Sequence, residues 1–313
     1  LVGTSLILFL PAIFWIWLET GNLNFTSGGI LKDKFPSEHL VFLLAMLVFG
    51  IGKAAIMPIH RWLPAAMVAP TPVSALLHAV AVVKAGVFSF LMVVVYIIGP
   101  DYLLQTRASN WLVWLSSFTI LAASIIAISK DDLKARLAYS TISQLSYIIL
   151  GAALATSFAL KGASFHIITH AIGKITLFFC AGAIYVTAHV KKISDLGGLG
   201  FKTPLIFFAY TLGALSIIGV PPLVGSWSKA FLVIGSLQAD YLFVAILLGV
   251  SSLLNIYYLL QPVFIAFNKK NIKNIHITKA PLAVWPPVVT AVGCLLLFFF
   301  SNYFLNIING VVS

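Results

Sequence analysis

Long apolar stretches, separated by short polar segments, follow one another along the chain. Nine of them contain about 18 residues or more and lie at about residues 1–18, 39–58, 72–98, 111–129, 137–158, 163–188, 204–236, 241–267 and 283–309. A helix of this length crosses the roughly 30 Å hydrocarbon core of a bilayer and satisfies its own backbone hydrogen bonds. Strands of a membrane barrel would be shorter and would alternate apolar with polar residues. The pattern therefore predicts an all-α integral membrane protein.

The composition supports this class and leaves no room for a soluble domain. Hydrophobic residues make up 61% of the chain and charged residues only 9%, whereas soluble domains contain about 25% charged residues. Because the connecting segments are short, residues 1–313 are predicted to form a single transmembrane domain. Cys180 and Cys294 both lie in predicted spans, where cysteine usually packs as a small apolar residue, so they indicate neither a disulfide nor a metal site.

The net charge of +11 is compatible with nucleic-acid binding, but the positions of the basic residues predict a membrane topology instead. Eleven lie in the loops after the even-numbered spans: Arg61, Lys130, Lys134, Arg136, Lys191, Lys192, Lys202, Lys269, Lys270, Lys273 and Lys279. The alternate loops hold Lys32, Lys34, Arg107 and Lys161. The positive-inside rule then places the loops of Lys134 and Lys192 in the cytoplasm and the C-terminus outside. We expect a multi-pass protein of the inner (plasma) membrane that contacts lipid and no nucleic acid.

Four lysines, Lys53, Lys84, Lys174 and Lys229, lie within predicted spans, whereas none of the eight acidic residues does. A lysine near the centre of a membrane helix costs about 2.5 to 3.5 kcal/mol on insertion scales. Their long stems could carry the ammonium groups to the interface, an alternative that fits Lys229 better than Lys84 or Lys174. Burial disfavours the charged form, so a buried lysine is suited to take up and release a proton. Each would need water, a carbonyl group or a carboxylate from elsewhere as its partner.

Two histidines share a helix face with one of these lysines. His166, His170 and Lys174 are spaced i, i+4 and i+8, which places them in one stripe. Three titratable groups in a row favour a proton relay over simple packing. A metal site would also use a His-x-x-x-His pair, but no Cys, Asp or Glu stands nearby in the sequence to complete it, so no metal is predicted.

His78 and Lys84 share a predicted span but are six residues apart, which is about 240° around an ideal helix. They face one site only if a π-bulge or a break lies between them. Otherwise they serve two different neighbours.

Two predicted spans contain helix-breaking residues beside a lysine. Pro58 follows Lys53, and Pro221 and Pro222 precede Lys229. Proline removes a helix hydrogen bond, so both segments are predicted to be broken helices. Broken backbone at membrane depth is tolerated where protein or a water-filled cavity satisfies it, and a pair of breaks is typical of inverted-repeat transporters. The alternative is a pair of packing kinks.

Several of these segments also resemble a known family. They are Gly52-Lys53 through Pro64, Ala69 through His78 with Val83-Lys84-Ala85-Gly86, Asp132-Leu133-Lys134 through Tyr147, and His170 through Gly182. In this order they resemble the antiporter-like subunits of respiratory complex I, and most closely the D-type subunits of Mrp multisubunit monovalent cation/proton antiporters. The resemblance covers about residues 40–270.

The resemblance implies a fourteen-helix fold with inverted repeats, of which this chain would hold the sixth to the fourteenth helix. Lys53 would pair with a glutamate on the fifth helix, which would lie before Leu1, so the chain is expected to be incomplete at its N-terminus. Lys84 and His78 would lie on the eighth helix. His166, His170 and Lys174 would form the central relay, and Lys229 would be the terminal lysine of the broken twelfth helix.

The predicted function is that of a proton-translocating subunit in a multisubunit monovalent cation/proton antiporter. Protons would pass along Lys53, Lys84, His78, His166, His170 and Lys174 to Lys229, without a cofactor of the chain's own. The expected partners are other membrane subunits, protons, and sodium or potassium. One alternative is a proton-pumping subunit of a NADH-quinone oxidoreductase or a membrane hydrogenase, which makes the chain part of a redox translocase. The other is a membrane scaffold that conducts nothing.

The topology can be tested by cysteine labelling. Cysteines placed near Lys134 and Lys192 should react with an impermeant reagent only from the cytoplasmic side, and one near Arg107 only from outside, because the positive-inside rule orients the spans in this way. The reverse labelling pattern would contradict both the orientation and the assignment of the first span to an even-numbered family helix.

Overall fold

The structure is a computed structural model that describes residues 2–32, 34–268, 277–278 and 280–312. The side chain of His78 lies outside this description, as do those of Val2, Val311 and Val312. Helices of seven or more residues are numbered here, and they are α1 (Leu10–Thr20), α2 (Ser37–Ile51), α3 (Val82–Met92), α4 (Pro100–Thr106), α5 (Asn110–Ser129), α6 (Leu133–Leu154), α7 (Ser157–Ala188), α8 (Pro204–Ile218), α9 (Gly225–Gln238), α10 (Leu242–Ala266), α11 (Pro281–Phe299) and α12 (Ser301–Val312).

Shorter helical segments connect the numbered helices. They are the α-helical turns Val2–Thr4, Trp62–Ala65, Thr71–Ala75 and Leu199–Lys202, the π-helical turns Ser5–Phe9, Leu76–Val80 and Val93–Ile98, and the 3-10 turns Ala66–Val68 and Ile193–Asp195. The only extended pairing among the described residues is an isolated bridge between Asp132 and Lys192. The predicted all-α class is therefore confirmed.

In the described part of the chain, five helices, α5, α6, α7, α10 and α11, are long and apolar enough to cross a membrane. A sixth span results if Val82–Ile98 and Pro100–Thr106, which meet at an angle of 81°, are counted together. Three shorter apolar helices occupy Ser5–Thr20, Ser37–Ile51 and Pro204–Ile218. The class of membrane protein is thus supported, while nine spans remain a prediction.

Several predicted spans are interrupted in the structure. Helix α2 ends at Ile51, where Gly52 adopts a positive φ of 54°, so the predicted span 39–58 is helical only in its first part. The predicted span 204–236 consists of α8 and α9, which are separated by residues 219–224. Glycine at a positive φ is the usual way to end a helix.

Helix α7 lies at the centre of the fold. It packs against α3, α6, α8, α9, α11 and α12. Its contact with α9 is close because both helices carry glycine at the crossing: a Cβ on Gly235 would lie 2.3 Å from the Ala159 nitrogen, and one on Gly162 would lie 2.9 Å from the Leu232 nitrogen. Small residues let membrane helices approach in this way. His166, His170 and Lys174 of α7 are consequently enclosed by neighbouring helices.

Arg136, which the sequence predicted in a solvated cytoplasmic loop, is buried with 3% exposure. It lies in the first turn of α6, and its guanidinium donates to Ile128 O at 3.2 Å and Lys130 O at 2.9 Å. A third bond goes to Gln261 Oε1 at 2.6 Å. The sequence prediction is wrong because the carbonyl groups at the end of α5 attract a cation into the protein.

Candidate functional site

The stripe predicted on α7 faces the interior. His166, His170 and Lys174 are 2%, 0% and 0% exposed. The two imidazole rings are stacked, with centroids 5.8 Å apart and planes at 26°. Helix α7 has 32 residues without a proline, and Thr156 accepts a hydrogen bond from Ala159 N at its start. An unbroken helix therefore holds the three groups at fixed spacing.

Lys84 contacts this stripe from α3. Its Nζ lies within hydrogen-bonding distance of His170 Nδ1, and the side chain is 6% exposed. The π-helical turn Leu76–Val80 and the bend at Ala81 precede α3. The helix between His78 and Lys84 is thus irregular, which is the condition under which the two side chains were predicted to face one site. The structure does not describe where the side chain of His78 points.

Lys174 is directed towards α6. Its ammonium donates to Leu137 O at 3.2 Å and to Ser140 Oγ. Ser140 belongs to a polar series at the start of this helix that also contains Thr141, Ser143 and Gln144. Both partners of the lysine are neutral oxygen atoms, so its charge is solvated by dipoles and is not neutralised.

His166 connects the stripe to α9. Its Nδ1 lies 2.9 Å from Ser228 Oγ, with donor and acceptor determined by the histidine tautomer. Ser228 also contacts Thr169 Oγ1 at 3.3 Å and donates to Gly225 O at 3.0 Å. No sequence pattern selects Ser228, although it directly precedes Lys229.

Lys229 lies at the other end of the arrangement and is 9% exposed. It donates to Ile218 O at 2.9 Å and to Ser252 Oγ at 3.1 Å. Gly219 makes this possible, since a Cβ there would lie 2.8 Å from Lys229 Cδ. The ammonium also lies 5.1 Å from the centroid of the Tyr147 ring. The alternative in which the stem carries this ammonium to the interface does not agree with its burial.

Tyr147 and Asn255 link Lys229 to the rest of the site. The Tyr147 ring stacks on His166 with a centroid distance of 5.6 Å, so the imidazole and the Lys229 ammonium both contact this ring. When the Asn255 amide nitrogen faces Tyr258 Oη, its oxygen accepts from Gln144 Nε2 at 3.1 Å and from Lys229 Nζ at 3.2 Å. These contacts come from helices far apart in the sequence, and no local pattern predicts them.

The structure therefore assembles five of the predicted residues, Lys84, His166, His170, Lys174 and Lys229, which are called the basic line below. Lys53 is not part of it. Residues 52–61 are not helical, and the Lys53 side chain is exposed. Its backbone packs on α3, where a Cβ on Gly86 would lie 2.5 Å from the Lys53 carbonyl carbon. Helix α2 ends before Lys53, and the role predicted for this lysine, together with a glutamate on a helix before Leu1, stays a prediction.

The predicted helix-breaking residues lie in the two non-helical segments, 52–61 and 219–224. Pro58 is in the segment 52–61, and Pro221 and Pro222 lie between α8 and α9. In the part of the chain that the structure describes, no three His, Cys, Asp or Glu side chains come close enough to hold a metal ion.

The fold and the site define a helical membrane protein with a line of buried basic side chains between its helices. Residues 1–255 match the family described as NADH:quinone oxidoreductase/Mrp antiporter, TM. The chain belongs to this family, as the resemblance in its motifs indicated.

Curated relatives carry names of quinone oxidoreductase subunits. NADH-quinone oxidoreductase subunit N of Desulforudis audaxviator is 37% identical over 277 residues, which are 86% of this chain and 54% of the relative. NADH-ubiquinone oxidoreductase chain 5 of Metridium senile is 34% identical over 296 residues, which are 91% of this chain and 48% of the relative. The chain thus spans about half the length of these relatives.

Solved structures share the fold. The Mrp complex from Dietzia sp. DQ12-45-1b contains a chain with a TM-score of 0.85 and 21% identity, and the match covers 99% of this chain and 66% of that one. A chain of respiratory complex I from Thermus thermophilus gives a TM-score of 0.77 and 24% identity, covering 97% of this chain and 66% of that one. At these identities the likeness concerns the fold alone.

Replacement of Tyr147 tests the arrangement. Tyr147→Leu removes the ring that contacts both His166 and Lys229, and aromatic and cation–π contacts of this kind contribute about 0.5 to 2 kcal/mol each. We expect a loss of about 1 to 3 kcal/mol in thermal unfolding of the purified assembly, whereas Tyr147→Phe, which keeps the ring, should unfold like wild type. Equal destabilisation by both variants would show that the hydroxyl, and not the ring, is what matters.

Proposed function

We propose that the chain is a proton-translocating subunit of a multisubunit membrane complex and that the basic line carries the protons. The observation that supports this most directly is the series of contacts that joins four of its five residues, while Lys174 lies four residues beyond His170 on α7. Lys84 contacts His170, His170 stacks on His166, and His166 and Lys229 share Tyr147 as a neighbour. Titratable side chains inside a membrane protein generally mark a proton or ion pathway.

The histidines are suited to pass protons because each ring has two nitrogen atoms. Nδ1 of His170 faces Lys84, and Nδ1 of His166 faces Ser228. Nε2 of both rings is buried without a hydrogen-bond partner among the described residues. Buried polar atoms generally require a partner, so water that enters between the rings would serve as the next acceptor.

Repulsion between the lysines would give the transfer an order. The described hydrogen-bond partners of Lys84, Lys174 and Lys229 are neutral oxygen or nitrogen atoms. Without a carboxylate to cancel the charge, a proton on one lysine disfavours a proton on its neighbour, and this effect is strong at low dielectric. A proton that arrives at Lys84 would therefore favour release of a proton from Lys229.

The proposal includes the wider features that the sequence and the family resemblance imply. These are nine spans in this chain, a fourteen-helix complete subunit, cytoplasmic loops around Lys134 and Lys192, and a C-terminus outside. Lys53, exposed in this chain, would act with a glutamate from a preceding helix. His78 would join the path from the π-helical turn before α3.

Two reactions are candidates for driving the proton translocation. The sequence motifs favour exchange of protons for sodium or potassium, as in an Mrp-type antiporter. A redox-driven complex is the second candidate, because the curated relatives are named NADH-quinone and NADH-ubiquinone oxidoreductase subunits. The scaffold alternative gives no reason for a line of buried basic groups.

Single substitutions along α7 test the relay. Lys174→Ala should lower proton flux by about 100-fold, because a positioned proton-transfer group contributes about that much and neither histidine can reach its position. His166→Ala and His170→Ala should lose less, since one water can bridge the gap. Flux would be measured in vesicles containing the intact complex, with Lys161→Ala on the same helix as the control that keeps full activity.

Other outcomes separate the alternatives. A metal site would make either histidine essential, leave Lys174 dispensable and respond to chelators. Full flux in all three variants of a normally assembled complex would contradict the relay and leave packing as their role.

The driver can be identified with the same vesicles. For an antiporter, an imposed sodium or potassium gradient should move protons without any electron donor. For a redox-driven pump, proton movement should require NADH or another electron donor together with a quinone and should not depend on the sodium or potassium gradient. A Lys174→Ala variant should be defective in whichever mode is active.

A further inference from the structure

An apolar cavity of about 640 Å³ lies beside the C-terminal half of α7. Its walls come from residues 68–72, from the start of α6 and from α11, and the apolar side chains that line it include Phe178, Phe179, Val186, Val190 and Ala283. The volume falls within the roughly 300–1,000 Å³ of sites that bind small molecules. None of the residues of the basic line borders it, so it is separate from the proposed relay.

The cavity opens at an apolar surface. Val68 is 94% exposed, Val186 48% and Tyr185 39%, and all three border the cavity. Such a patch is compatible with the interior of a bilayer and would be unfavourable in water. A ligand that enters from this side must itself be largely apolar.

One end of the cavity is basic. Lys134 and Lys191 line it, and Asp132 is the only acidic residue among the described lining residues. Lys134 Nζ donates to Ala69 O at 2.7 Å, which leaves further donors on the ammonium, and Lys191 Nζ lies 5.0 Å from the Tyr185 ring centroid. Asp132 accepts from Ala135 N at 2.8 Å as the N-cap of α6, so its charge is directed into the helix start.

The basic end is held together by contacts between two loops. Leu133 N donates to Lys191 O at 3.0 Å, next to the bridge between Asp132 and Lys192. The Asp131 carboxylate accepts from Ser194 N at 3.0 Å and Ser194 Oγ at 2.8 Å. These bonds fix the two lysines at the same end of the cavity.

The Asp131 carboxylate that anchors these loops remains charged. Desolvation raises its pKa, but the bonds from Ser194 and the charges of Lys192 and Arg136 outweigh that effect, so the pKa lies below its ordinary value.

We propose that this cavity binds an anionic phospholipid, with the phosphate between Lys134 and Lys191 and an acyl chain along Phe178, Val186 and Ala283. Only a molecule with a negative head and a long apolar tail satisfies both ends of the site at once. Basic pockets between membrane helices bind anionic lipid headgroups for this reason. A segment of a neighbouring subunit would satisfy both ends only if it also brought a carboxylate to the two lysines, and cross-linking distinguishes this case.

The test uses the intact complex, purified in detergent and stripped of lipid. Dioleoyl phosphatidylglycerol is added, and its binding to the subunit is followed by native mass spectrometry and by thermal unfolding, with dioleoyl phosphatidylcholine and inorganic phosphate in parallel. We expect phosphatidylglycerol alone to bind and stabilise. Lys134→Gln/Lys191→Gln should weaken it about 10-fold or more, and Ala283→Trp should also weaken it by filling the chain site. Lys161→Gln, outside the cavity, should bind like wild type.

Three results would overturn the proposal. They are equal phosphatidylglycerol binding by wild type and the double lysine variant, equal stabilisation by inorganic phosphate, and a cross-link from a photoreactive residue at position 186 to another subunit in native membranes. If the double variant fails to assemble, the single variant Lys191→Gln replaces it, because this side chain is exposed.

Discussion

Lysine side chains inside a membrane protein need partners that replace the water around each ammonium group. In this protein Lys84 is placed against a histidine nitrogen, Lys174 against α6 oxygens and Lys229 against a carbonyl, hydroxyls and an aromatic face. No carboxylate is among these described partners. Several neutral dipoles are needed to stabilise one ammonium group, and here they come from different helices. These helices must therefore pack closely around α7.

The interruption beside Lys229 follows from the same requirement. Helix α8 ends at Ile218, and its carbonyl oxygen, which has no donor within the helix, accepts the Lys229 ammonium. The C-terminal end of a helix carries a partial negative charge and favours a cation. Pro221 and Pro222 then keep the chain from continuing as a helix. A break next to a lysine thus gives that lysine a partner that a continuous helix would not supply.

The sequence predicts what depends on local spacing. The buried stripe of His166, His170 and Lys174 follows from a period of four residues on one helix, and the membrane class follows from composition. The stacking of Tyr147 on His166 and the contact of Ser228 with the same ring depend on how α6, α7 and α9 pack, and no spacing within one helix contains that information. The burial of Arg136 could not be predicted because its partners are the backbone carbonyls of Ile128 and Lys130 and the side chain of Gln261, which is far away in the sequence.

The burial of α6 is explained by the two lysines at either side of it. In the most apolar 18-residue stretch of α6, 94% of the residues are buried within the protein, compared with 17% in the corresponding stretch of α11. Ser140 near its start contacts Lys174, while Gln144 and Tyr147, one and two turns later, face the group around Lys229. A helix that supplies polar partners to both ends of the basic line cannot face lipid, because those polar side chains would then lose their partners.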